Sequence, residues 1–580
     1  MPGPIWRLKH PETDFYSESS SGERVGPVPG MPSLISKILA VRNINRENLE
    51  QILYPKLGSL KDPMTLLGMR KAVERLVQAY RDNEKICIYA DFDLDGTSGL
   101  ALLATGLRSI GFNNLVLHQP KRLSEGYGFH AKSVEELKAQ GVSLIVTVDV
   151  GITALAACEK AKGLGVDVII TDHHLPGEIL PNAYVIVNPN QKDCGSGLGY
   201  LCGAGVAYYL LRAVKRSFFD AEDLPKNKFD LKDVLDFFTI ATLTDMVPLV
   251  EDNRVLVKHG LLKLAETDKV GLRALLEALG LTGRPLTSQD VAIRFAPKLN
   301  ALSRMEAGIL PIDIMLLTDQ AEADRLVHEV LEQNSNRVQL QNEAEQEALE
   351  LLKNWTESDF VFVASPHFHR GVLGLIATKL AQSFNKPCFV GSVGSDGMVV
   401  GSSRLPPSHE SCLVEALTFA GEHLSRFGGH SAAAGFELFL EQKDEFIKKL
   451  SRHYQELKQS PRPLELQYDC EARLGEIDAS TMKWYDFVGP FGAGFEVPLI
   501  RFEDISLENL RELKGGHYRL KLRDRQGGGT TEALLFSPTP QQLDRLQAIR
   551  HELEILGELQ WNYYNGQKSI QILVRDLRGV

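Results

Sequence analysis

The residues best suited to chemistry are three aspartates that alternate within five positions of the sequence. Asp91, Asp93 and Asp95 directly follow the apolar run ICIYA, which has strand character, and they precede the helical pattern GLALLATGL. Carboxylates crowded into one corner repel one another unless a cation lies between them. Their type and spacing therefore predict a divalent metal site between a strand and a helix.

A calcium loop of the EF-hand type is an alternative interpretation of DFDLDG, since DxDxDG matches the first six positions of such a loop. The twelfth position would then be Leu102, where an EF-hand requires a bidentate glutamate. The segment before the motif also has the character of a strand, whereas an EF-hand loop follows a helix. The pattern therefore favours a metal site at a strand end.

Other metal-binding residue types occupy the same kind of position. Asp149 ends the run LIVTVD, and Asp172 ends VDVIIT directly before His173 and His174. In an open parallel sheet, ligands bind at the carboxyl ends of the strands. A single aspartate after a strand is usually a turn or capping residue. Five acids and two imidazoles at one edge instead predict a site for Mn²⁺ or Mg²⁺ rather than a thiolate zinc site.

Alternating strands and helices must position these residues. Short apolar runs, from ICIYA to AYVIVN, alternate with helical patterns between about residues 70 and 210, which is typical of parallel βαβ units. Residues 231–280 have a helical pattern, and 320–355 predict a long polar helix that connects two domains. A second α/β unit begins at FVFVASP, and the short β runs near the C-terminus predict a small β-barrel.

The composition is that of a folded protein with several domains. The 580 residues are 43% hydrophobic and 24% charged, which excludes disorder or a coiled-coil rod for the whole chain. The seven cysteines form no CxxC pair, so we expect a reducing, cytoplasmic location. No apolar run is long enough for a membrane span. The net charge of −11 averages over domains and does not exclude nucleic acid.

Several motifs resemble those of the DHH phosphoesterases. They are DFDLDG, TVDVGI around Asp149, the DHH triplet at 172–174 and TLTDMVPL around Asp245, while FGGHSAAAGF resembles the signature of the DHHA1 domain. Within that superfamily, SEGYGF, VNPNQKDC, GAGVAYYL, PKLNALSRM, HRGVLGLIATKL and VGPFGAGFEVP are similar to stretches of the RecJ family of bacterial exonucleases. The resemblance covers about residue 50 to the C-terminus.

This resemblance implies an α/β protein with three folded parts. We expect a parallel-sheet DHH catalytic domain at residues 70–285, a connector with a long helix at 286–355, a DHHA1 α/β domain at 356–455 and an OB-like β-barrel at 464–580. An N-terminal segment, 1–69, precedes them.

The resemblance also implies an activity, a cofactor and partners. The activity is 5′ to 3′ hydrolysis of single-stranded DNA with release of 5′-mononucleotides, in DNA repair and recombination. Two Mn²⁺ or Mg²⁺ ions per active site are the cofactors, and a helicase and a single-strand-binding protein are the expected partners. One alternative is a DHH/DHHA1 oligoribonuclease or cyclic-dinucleotide phosphodiesterase, which does not need the barrel. Another is a non-catalytic RecJ-like replication scaffold, which would tolerate loss of the motif acids.

The same resemblance assigns roles at the metal site. It makes Asp149 the bridging ligand and His174 a phosphate contact or transition-state stabiliser. Some members of the superfamily carry a metal-binding histidine where this chain has Tyr89. The expected metal ligands are Asp91, Asp93, Asp95, Asp149, His173 and Asp245.

A further set of residues is expected to bind phosphate or DNA. The run SAAAG after the GGH motif predicts a helix start whose backbone amides bind phosphate. Arginines can clamp successive phosphates with paired hydrogen bonds, and aromatic side chains with cations in the barrel suit stacking of single strands. Packing in the barrel core is the alternative for those aromatics. The candidates are Arg304, His369, Arg370, Arg404, Gly428, Gly429, His430, Tyr518, Arg519, Lys521 and Arg523.

Overall fold

The computed structural model describes residues 4–10, 17–18, 24–25, 28, 30–44, 46–122, 125–220, 229–305, 308–356, 359–406, 409, 411–457, 465–527, 529–548, 553–564 and 566–579. These residues form two compact units. The larger unit comprises the described parts of 61–248 and 259–462, and the smaller one those of 1–60, 249–258 and 463–580. No described helix combines the length and apolar character that crossing a bilayer requires.

The helices are α1 (Ser33–Ala40), α2 (Arg46–Leu53), α3 (Met69–Arg81), α4 (Leu94–Ile110), α5 (Ala131–Ala139), α6 (Leu155–Gly163), α7 (Gly203–Asp220), α8 (Leu235–Thr244), α9 (Glu251–Ala265), α10 (Val270–Ala278), α11 (Ala296–Met305), α12 (Pro311–Met315), α13 (Gln320–Leu351), α14 (Leu373–Phe384), α15 (Leu413–Phe419), α16 (Lys443–Leu457), α17 (Ala479–Val488) and α18 (Pro540–Ala548).

The strands are β1 (Ile5–Leu8), β2 (Ser17–Glu18), β3 (Arg24–Val25), β4 (Ile86–Ala90), β5 (Leu115–His118), β6 (Leu144–Val148), β7 (Asp167–Thr171), β8 (Val185–Val187), β9 (Val361–Ser365), β10 (Cys388–Val393), β11 (Met398–Arg404), β12 (Arg426–Gly429), β13 (Ala433–Phe439), β14 (Glu465–Tyr468), β15 (Cys470–Ala472), β16 (Ile500–Leu513), β17 (His517–Asp524), β18 (Thr530–Leu535), β19 (Leu553–Tyr564) and β20 (Gln567–Gly579).

The first sheet of the larger unit is parallel throughout, with the strand order β5-β4-β6-β7-β8. Every residue of β4 and β6 is buried, as expected for central strands that helices cover on both faces. The α/β class and the predicted parallel sheet are confirmed. All carboxyl ends of the five strands lie at one edge, where the metal-binding candidates follow them in sequence.

The second sheet of the larger unit has the order β12-β13-β11-β10-β9. The long helix α13 precedes it in the chain, as predicted. The predicted helix start at SAAAG is wrong, because this segment forms the turn and first residues of the β12–β13 hairpin. The buried residues Ala434, Phe436 and Leu438 alternate with more exposed ones, which is the period of a strand.

The smaller unit contains the β-barrel. Its strands pair in the order β16-β17-β18-β20-β19, and β19 pairs back onto β16, which closes the barrel. Helix α18 lies between β18 and β19 in the chain. This is the arrangement of an OB-type barrel, whose strand 2 and strand 3 face is a common binding surface. Here those strands are β17 and β18.

The barrel does not have a core of its own. Leu34 and Ile38 of α1 and Leu53 of α2 belong to the same buried cluster as Ile500 and Phe502 of β16. The hydrophobic core of the smaller unit therefore combines the two ends of the sequence, a pairing that no local pattern predicts.

Candidate active site

The first part of the site is the turn between β4 and α4. Asp91 is buried, and its Oδ1 atom has no hydrogen-bond partner among the described residues. Asp93 is the N-cap of α4, where its Oδ1 accepts a hydrogen bond from the Gly96 amide at 3.0 Å. The positive end of the helix dipole favours carboxylates here. The turn therefore brings together two acids, one of which has an unsatisfied oxygen.

Asp95, in the first turn of α4, links this turn to helix α7. Its two carboxylate oxygens accept hydrogen bonds from the amides of Gly203 at 2.7 Å and Ala204 at 2.8 Å. Its Oδ2 also lies 3.8 Å from the Nε2 atom of His173. Asp95 thus fixes the start of α7 against the metal-binding turn while remaining beside the histidine.

Asp149 follows β6 in a left-handed backbone conformation, with φ of +62°. Aspartate adopts this conformation more readily than most residues. Its carboxylate is buried, and within the described part of the chain Oδ1 has no hydrogen-bond partner. Gly203 lies against it, because a Cβ atom at Gly203 would be only 2.4 Å from the Cβ of Asp149. The position of Asp149 therefore requires a glycine at 203.

The DHH triplet forms the turn after β7. Asp172 accepts hydrogen bonds from the amides of Ile152 and His173 and, at 2.8 Å, from the Nδ1 of His174. Burial alone would raise the pKa of Asp172, but these hydrogen bonds lower it overall. Burial opposes a charge on His174, yet the hydrogen bond and charge of Asp172 raise the pKa of His174 to about 9.

His173 has the opposite environment. Its Nε2 lies 3.2 Å from Asp149 Oδ1 and 3.7 Å from Asp245 Oδ2, and burial lowers the pKa of its imidazole. A neutral imidazole can bind a metal ion, whereas a protonated one cannot. The two adjacent histidines are thus suited to different tasks: His173 to metal binding and His174 to carrying a positive charge.

The candidate ligand atoms form three groups whose atoms lie within 4.8 Å of one another. Asp149 occurs in two of these groups. The groups are Asp91, Asp93 and Asp149; Asp149, His173 and His174; and Asp95, His173 and Asp245.

It is energetically unfavourable for the acids of this cluster to be ionised at the same time. Burial and then the neighbouring Asp93 raise the pKa of Asp91 to about 8, and burial and then Asp95 raise the pKa of Asp245 to about 8. Burial and the surrounding carboxylates also raise the pKa of Asp149 well above its usual range. A divalent cation would compensate this charge and satisfy the unpartnered oxygens. The donor set, carboxylates with one neutral imidazole, fits Mn²⁺ or Mg²⁺.

We expect the free energy of unfolding to fall with rising pH when no divalent ion is present. The folded protein retains protons on Asp91 and Asp245 up to about pH 8, whereas the unfolded chain loses them near the ordinary value of 3.8. The stabilisation that these protons provide is therefore fully present below the pKa of the two carboxyl groups in the unfolded chain. It is lost as pH rises through their pKa in the folded protein. Urea unfolding in EDTA at about pH 6 and about pH 8 measures it.

Mn²⁺ should reverse this fall of the free energy of unfolding with rising pH, because the ion competes with protons for the same carboxylate oxygens. We expect Mn²⁺ to stabilise the protein more at about pH 8 than at about pH 6. Asp245→Asn, which cannot lose a proton, should reduce the pH dependence of the metal-free protein. Metal-free stability that stays level or increases over this range would contradict the expectation.

Four further residues, to which sequence reasoning gave no role, hold the turns of the site. Gln119 Nε2 donates to the carbonyl oxygen of Asp91 at 2.6 Å, and Ser303 Oγ donates to that of Phe92 at 3.1 Å. Asn188 and Asn190 donate to the carbonyl oxygens of His174 and His173, at 2.9 and 2.5 Å. Asn188 and Asn190 lie in the VNPN motif and Ser303 in ALSRM, whereas Gln119 lies in neither, and only the fold shows which backbone atoms the four residues bind.

Tyr89 does not take part in the metal cluster. Its ring is stacked on His118, and its hydroxyl donates to the carbonyl oxygen of Gly128 at 3.0 Å. Burial raises the pKa of this hydroxyl to about 12. By contrast, the hydroxyl of Tyr127 lies 3.5 Å from His174 Nδ1. Tyr127 is in the SEGYGF motif and is thus a site residue that sequence reasoning did not single out.

Arginines gather beside the acidic cluster. Burial, followed by the neighbouring charges of Arg122, Arg337 and Arg404, lowers the pKa of Arg304 to about 9, while Asp93 opposes this shift. None of these four arginines has a carboxylate within 4 Å among the residues that the structure describes, although burial lowers the pKa of Arg122 and the charges of Asp93 and Asp91 oppose this shift. Burial and neighbouring cations thus lower the pKa of Arg304 and of Arg404, and partly buried cations in this situation favour an anion between them. Arg122 and Arg337 were not predicted, although Arg122 follows β5 at the same sheet edge.

Several of the predicted phosphate ligands already have hydrogen bonds within the protein, among them Arg304, whose Nη1 donates to the Gly371 carbonyl oxygen at 3.3 Å. Arg404, at the end of β11, donates to Ser402 Oγ and to the Ser403 carbonyl oxygen, both at 2.8 Å. His369 caps a helical turn, since its Nδ1 accepts from the Gly371 amide at 3.1 Å. Arg370 is exposed at the start of the same turn.

The GGH residues have a different environment from the one predicted. Gly428 and Gly429 lie in strand β12, and the His430 amide donates to the Ala433 carbonyl oxygen at 2.8 Å. This amide closes the hairpin turn and is not part of a helix start. A Cβ at Gly429 would lie 2.5 Å from the Ala433 oxygen, which explains the glycine there. All three residues are exposed.

In the smaller unit, the predicted DNA-binding residues lie on β17. Arg519, Lys521 and Arg523 are exposed and alternate with the buried Leu520 and Leu522. Every second residue of a strand points to the same side, so the three cations share the outer face of the barrel.

Two predicted stacking residues of the barrel, Tyr518 and Trp561, are less exposed than the three cations of β17. Tyr518 packs against the barrel core. Trp561 also contacts the core, and its indole N–H donates to Asp486 Oδ2 at 2.7 Å. The Lys568 ammonium lies 3.7 Å from the centre of the Trp561 ring. A base that stacked on this face of Trp561 would have to displace that lysine.

Comparisons with protein families match three parts of the chain. Residues 85–242 match the DHH family, N-terminal domain, residues 358–456 match the DHHA1 domain, and residues 468–576 match the RecJ OB domain. These three parts contain five of the six candidate metal ligands, all but Asp245, together with the second sheet and most of the closed barrel.

Individual relatives match over most of their length. The single-stranded-DNA-specific exonuclease RecJ of Dickeya dadantii is 31% identical over 94% of this chain and 96% of its own. A crystal structure of Thermus thermophilus RecJ in complex with Mn²⁺ matches with a TM-score of 0.80 and 27% identity, over 99% of this chain and 80% of that one. The Mg²⁺ complex of the same protein matches with a TM-score of 0.74, 25% identity and coverage of 99% and 78%. With the metal cluster, both sheets and the barrel all matched, the chain belongs to the RecJ family of DHH phosphoesterases.

Proposed function

We propose that this protein is a metal-dependent exonuclease that degrades single-stranded DNA from the 5′ end and releases 5′-mononucleotides. The observation that carries the proposal is the buried carboxylate cluster, with its unsatisfied Asp91 and Asp149 oxygens, beside arginines that have no acidic partner within 4 Å among the described residues. One set of groups suits divalent cations and the other suits phosphates. Membership of the RecJ family supports single-stranded DNA as the substrate.

Two Mn²⁺ or Mg²⁺ ions are the proposed cofactors. Asp91, Asp93 and Asp149 would hold one ion, and Asp95, His173 and Asp245 the other. Asp149 could contribute to both, because its Oδ1 also lies 3.2 Å from His173 Nε2. When bound, such ions polarise the phosphate and lower the pKa of an attacking water. The tightly held turns of β4, β6 and β7 keep these ligands in place before any ion binds.

His174 is the proposed stabiliser of the reacting phosphate. Because Asp172 raises its pKa to about 9, the imidazole is protonated at neutral pH. Its Nδ1 proton is held by Asp172 at 2.8 Å, which leaves the Nε2 proton for a phosphate oxygen. A fixed positive charge at this point stabilises the negative charge that grows on the phosphate as the bond to the leaving oxygen breaks.

The arginines beside the cluster are the groups proposed to bind the phosphates of the DNA strand. Arg122, Arg304 and Arg404 carry charge next to the cluster, and their donors can bind phosphate oxygens in pairs. A pocket that holds a terminal phosphate sets which end of a strand reaches the reacting position. The 5′ to 3′ direction is therefore proposed to depend on these arginines, with Arg370 and His430 as exposed contacts further out.

We expect Arg404→Ala to raise KM more than it lowers kcat and to reduce any preference for 5′-phosphorylated over 5′-hydroxyl strands. Losing one charge-assisted contact should cost about 1.5 to 3 kcal/mol of binding. Steady-state kinetics on matched strands with either 5′ group measure this, and Arg426→Ala, on exposed β12, serves as a control for loss of a cation. An unchanged preference for the 5′ phosphate would remove Arg404 from the proposed pocket.

One assay tests the proposed function directly. Single-stranded DNA and RNA of about 30 nucleotides, labelled at the 5′ or the 3′ end, are incubated with Mn²⁺, Mg²⁺ or EDTA. A 5′-labelled DNA strand should yield labelled mononucleotide at once, whereas a 3′-labelled strand should shorten progressively. Preferential cleavage of short RNA would favour an oligoribonuclease, and no metal-dependent cleavage would favour a non-catalytic scaffold.

We further propose that the protein acts in the cytoplasm together with a helicase and a single-strand-binding protein. All seven cysteines are free thiols, which supports a reducing compartment. An enzyme that accepts only single strands needs another protein to separate a duplex. Stimulation of duplex degradation by a helicase with ATP, and not by ATP alone, would test this dependence.

A further inference from the structure

The outer face of β17 has an acidic residue placed among its cations by a β-bulge. Between β16 and β17, Leu507 pairs with Leu522 and Asn509 pairs with Lys521, so Glu508 is an extra residue without a partner in the ladder. Leu507 and Leu510 both pack against the barrel core. Two inward residues three positions apart leave two outward residues between them, which is the geometry that a bulge allows.

Glu508 uses this position to contact two cations of the neighbouring strand. Its Oε2 lies 3.1 Å from Lys521 Nζ, and its Oε1 accepts a short hydrogen bond from Arg523 Nε. The hydrogen bonds from these two cations lower the pKa of Glu508, so it is ionised at neutral pH. Each cation of the pair stays about half exposed, at 46% for Lys521 and 57% for Arg523.

The third cation of this face has a much looser contact. Arg519 Nε lies 3.9 Å from Glu532 Oε2, and both side chains are nearly half exposed. Lys521 and Arg523 therefore differ from Arg519 in having a carboxylate in direct contact. The bulge concentrates that contact on two of the three cations of β17, which is strand 2 of the OB-type barrel.

We propose that Glu508 competes with the DNA backbone for Lys521 and Arg523 and thereby limits the affinity of the barrel for single strands. This inference rests on the proposed function, because it takes single-stranded DNA as the substrate and, as the sequence predicts, the β17 face as a phosphate-binding surface. A strand phosphate must replace or share the carboxylate that both cations already contact. Without Glu508 the same face would carry one more uncompensated positive charge.

A limited affinity suits an enzyme that must move along its substrate. Each turnover shortens the strand by one nucleotide, so contacts distant from the reacting end have to break and form again. Cations with an internal carboxylate partner can exchange between that partner and successive phosphates without being left unpaired. Bulges that orient a side chain beside a binding site are a recurrent feature of sheets.

The test measures binding of a fluorescent 30-nucleotide single strand to the full-length protein in EDTA, where no cleavage occurs, across a range of salt concentrations. Glu508→Gln keeps the size of the side chain and removes its charge. We expect it to bind about two- to fivefold more tightly at low salt. The slope of log affinity against log salt should steepen by about 0.7, the value for one additional phosphate contact on a single strand.

A matched control and a double mutant distinguish this role from a structural one. Glu512→Gln removes a charge four residues along the same strand and should change affinity much less. Lys521→Ala should cost more affinity in the Glu508→Gln background than in the original protein, because only there is the lysine free to contact phosphate. A thermal melt of each variant verifies folding.

The outcomes separate this inference from the proposed function. Unchanged or weaker binding by Glu508→Gln, with weaker binding by the Lys521→Ala, Arg523→Ala double variant, would overturn the role of Glu508 and keep the barrel as a DNA-binding surface. If neither variant changed binding, both the role of Glu508 and the assignment of the barrel as a DNA-binding surface would be overturned. Glu508→Gln could bind more tightly while Lys521→Ala costs the same affinity in both backgrounds. That result would mean that Glu508 acts only through its overall charge, and it would overturn direct competition for Lys521.

Discussion

Asp149→Asn should abolish hydrolysis while the protein remains folded. Asparagine has the shape of aspartate and also tolerates the left-handed backbone conformation that Asp149 adopts at φ of +62°. It loses the charge that two neighbouring groups of candidate ligands share. We expect kcat/KM with Mn²⁺ to fall more than about 100-fold, equivalent to about 2.7 kcal/mol of transition-state stabilisation.

The same substitution should stabilise the metal-free protein at about pH 8. Burial and four other aspartates disfavour the charge on Asp149, and asparagine removes that repulsion. Stabilisation by Mn²⁺ should diminish in parallel, which a melting experiment with and without the ion measures. Asp193→Asn, at an exposed position of the same unit, should alter none of these quantities. Activity within about tenfold of the original, less than about 1.4 kcal/mol, would refute the shared-ligand role.

Gly203→Ala should have nearly as large an effect although it adds only one methyl group. The new Cβ would lie 2.4 Å from the Cβ of Asp149 and 2.6 Å from its Cα, so either α7 or the Asp149 turn must move. Forcing a methyl group into packed surroundings costs about 1 to 3 kcal/mol of stability. A displacement of about 1 Å at a reacting centre can cost about 100-fold in rate.

The Gly203→Ala variant also disturbs Asp95, which accepts a hydrogen bond from the Gly203 amide. We therefore expect weaker Mn²⁺ binding together with the loss of activity, measured by calorimetric titration. Gly195→Ala is the matched control, because a Cβ there would meet nothing within 4 Å. Normal Mn²⁺ affinity and activity in a folded Gly203→Ala protein would show that the Asp149 turn accommodates the methyl group and that its observed position is not essential.

The sequence was sufficient to predict the main elements and the set of acids. The run ICIYA is β4 with the same residues, and the run LIVTVD is β6 without its last residue, because short apolar runs between helical patterns occur mainly as buried parallel strands. A parallel sheet places all its carboxyl ends at one edge, so the strand types alone put Asp91 and Asp149 at the same edge. Only the structure shows that β4 and β6 are adjacent strands.

Other predictions failed because the local pattern was ambiguous. The small residues after GGH suit a helix start as well as a tight hairpin, and only their pairing with β11 and β12 selected the strand. The 14-residue strand β16 was not predicted, since its sequence IRFEDISLENLREL has many charges. These charges are compatible with a strand because its outward residues face solvent, while Ile500, Phe502 and Ile505 fill the barrel.

The sequence by itself determined which reactive side chains lie at the end of each strand, because residue type and position after a strand are both local properties of the sequence. Tertiary structure alone decided which groups share an environment. Asp172 holds His174 by a hydrogen bond, Gly203 provides room for Asp149, and the two ends of the chain form one core around the barrel. The physical reason is that burial, pKa and close packing depend on atoms that are distant in sequence and adjacent only after folding.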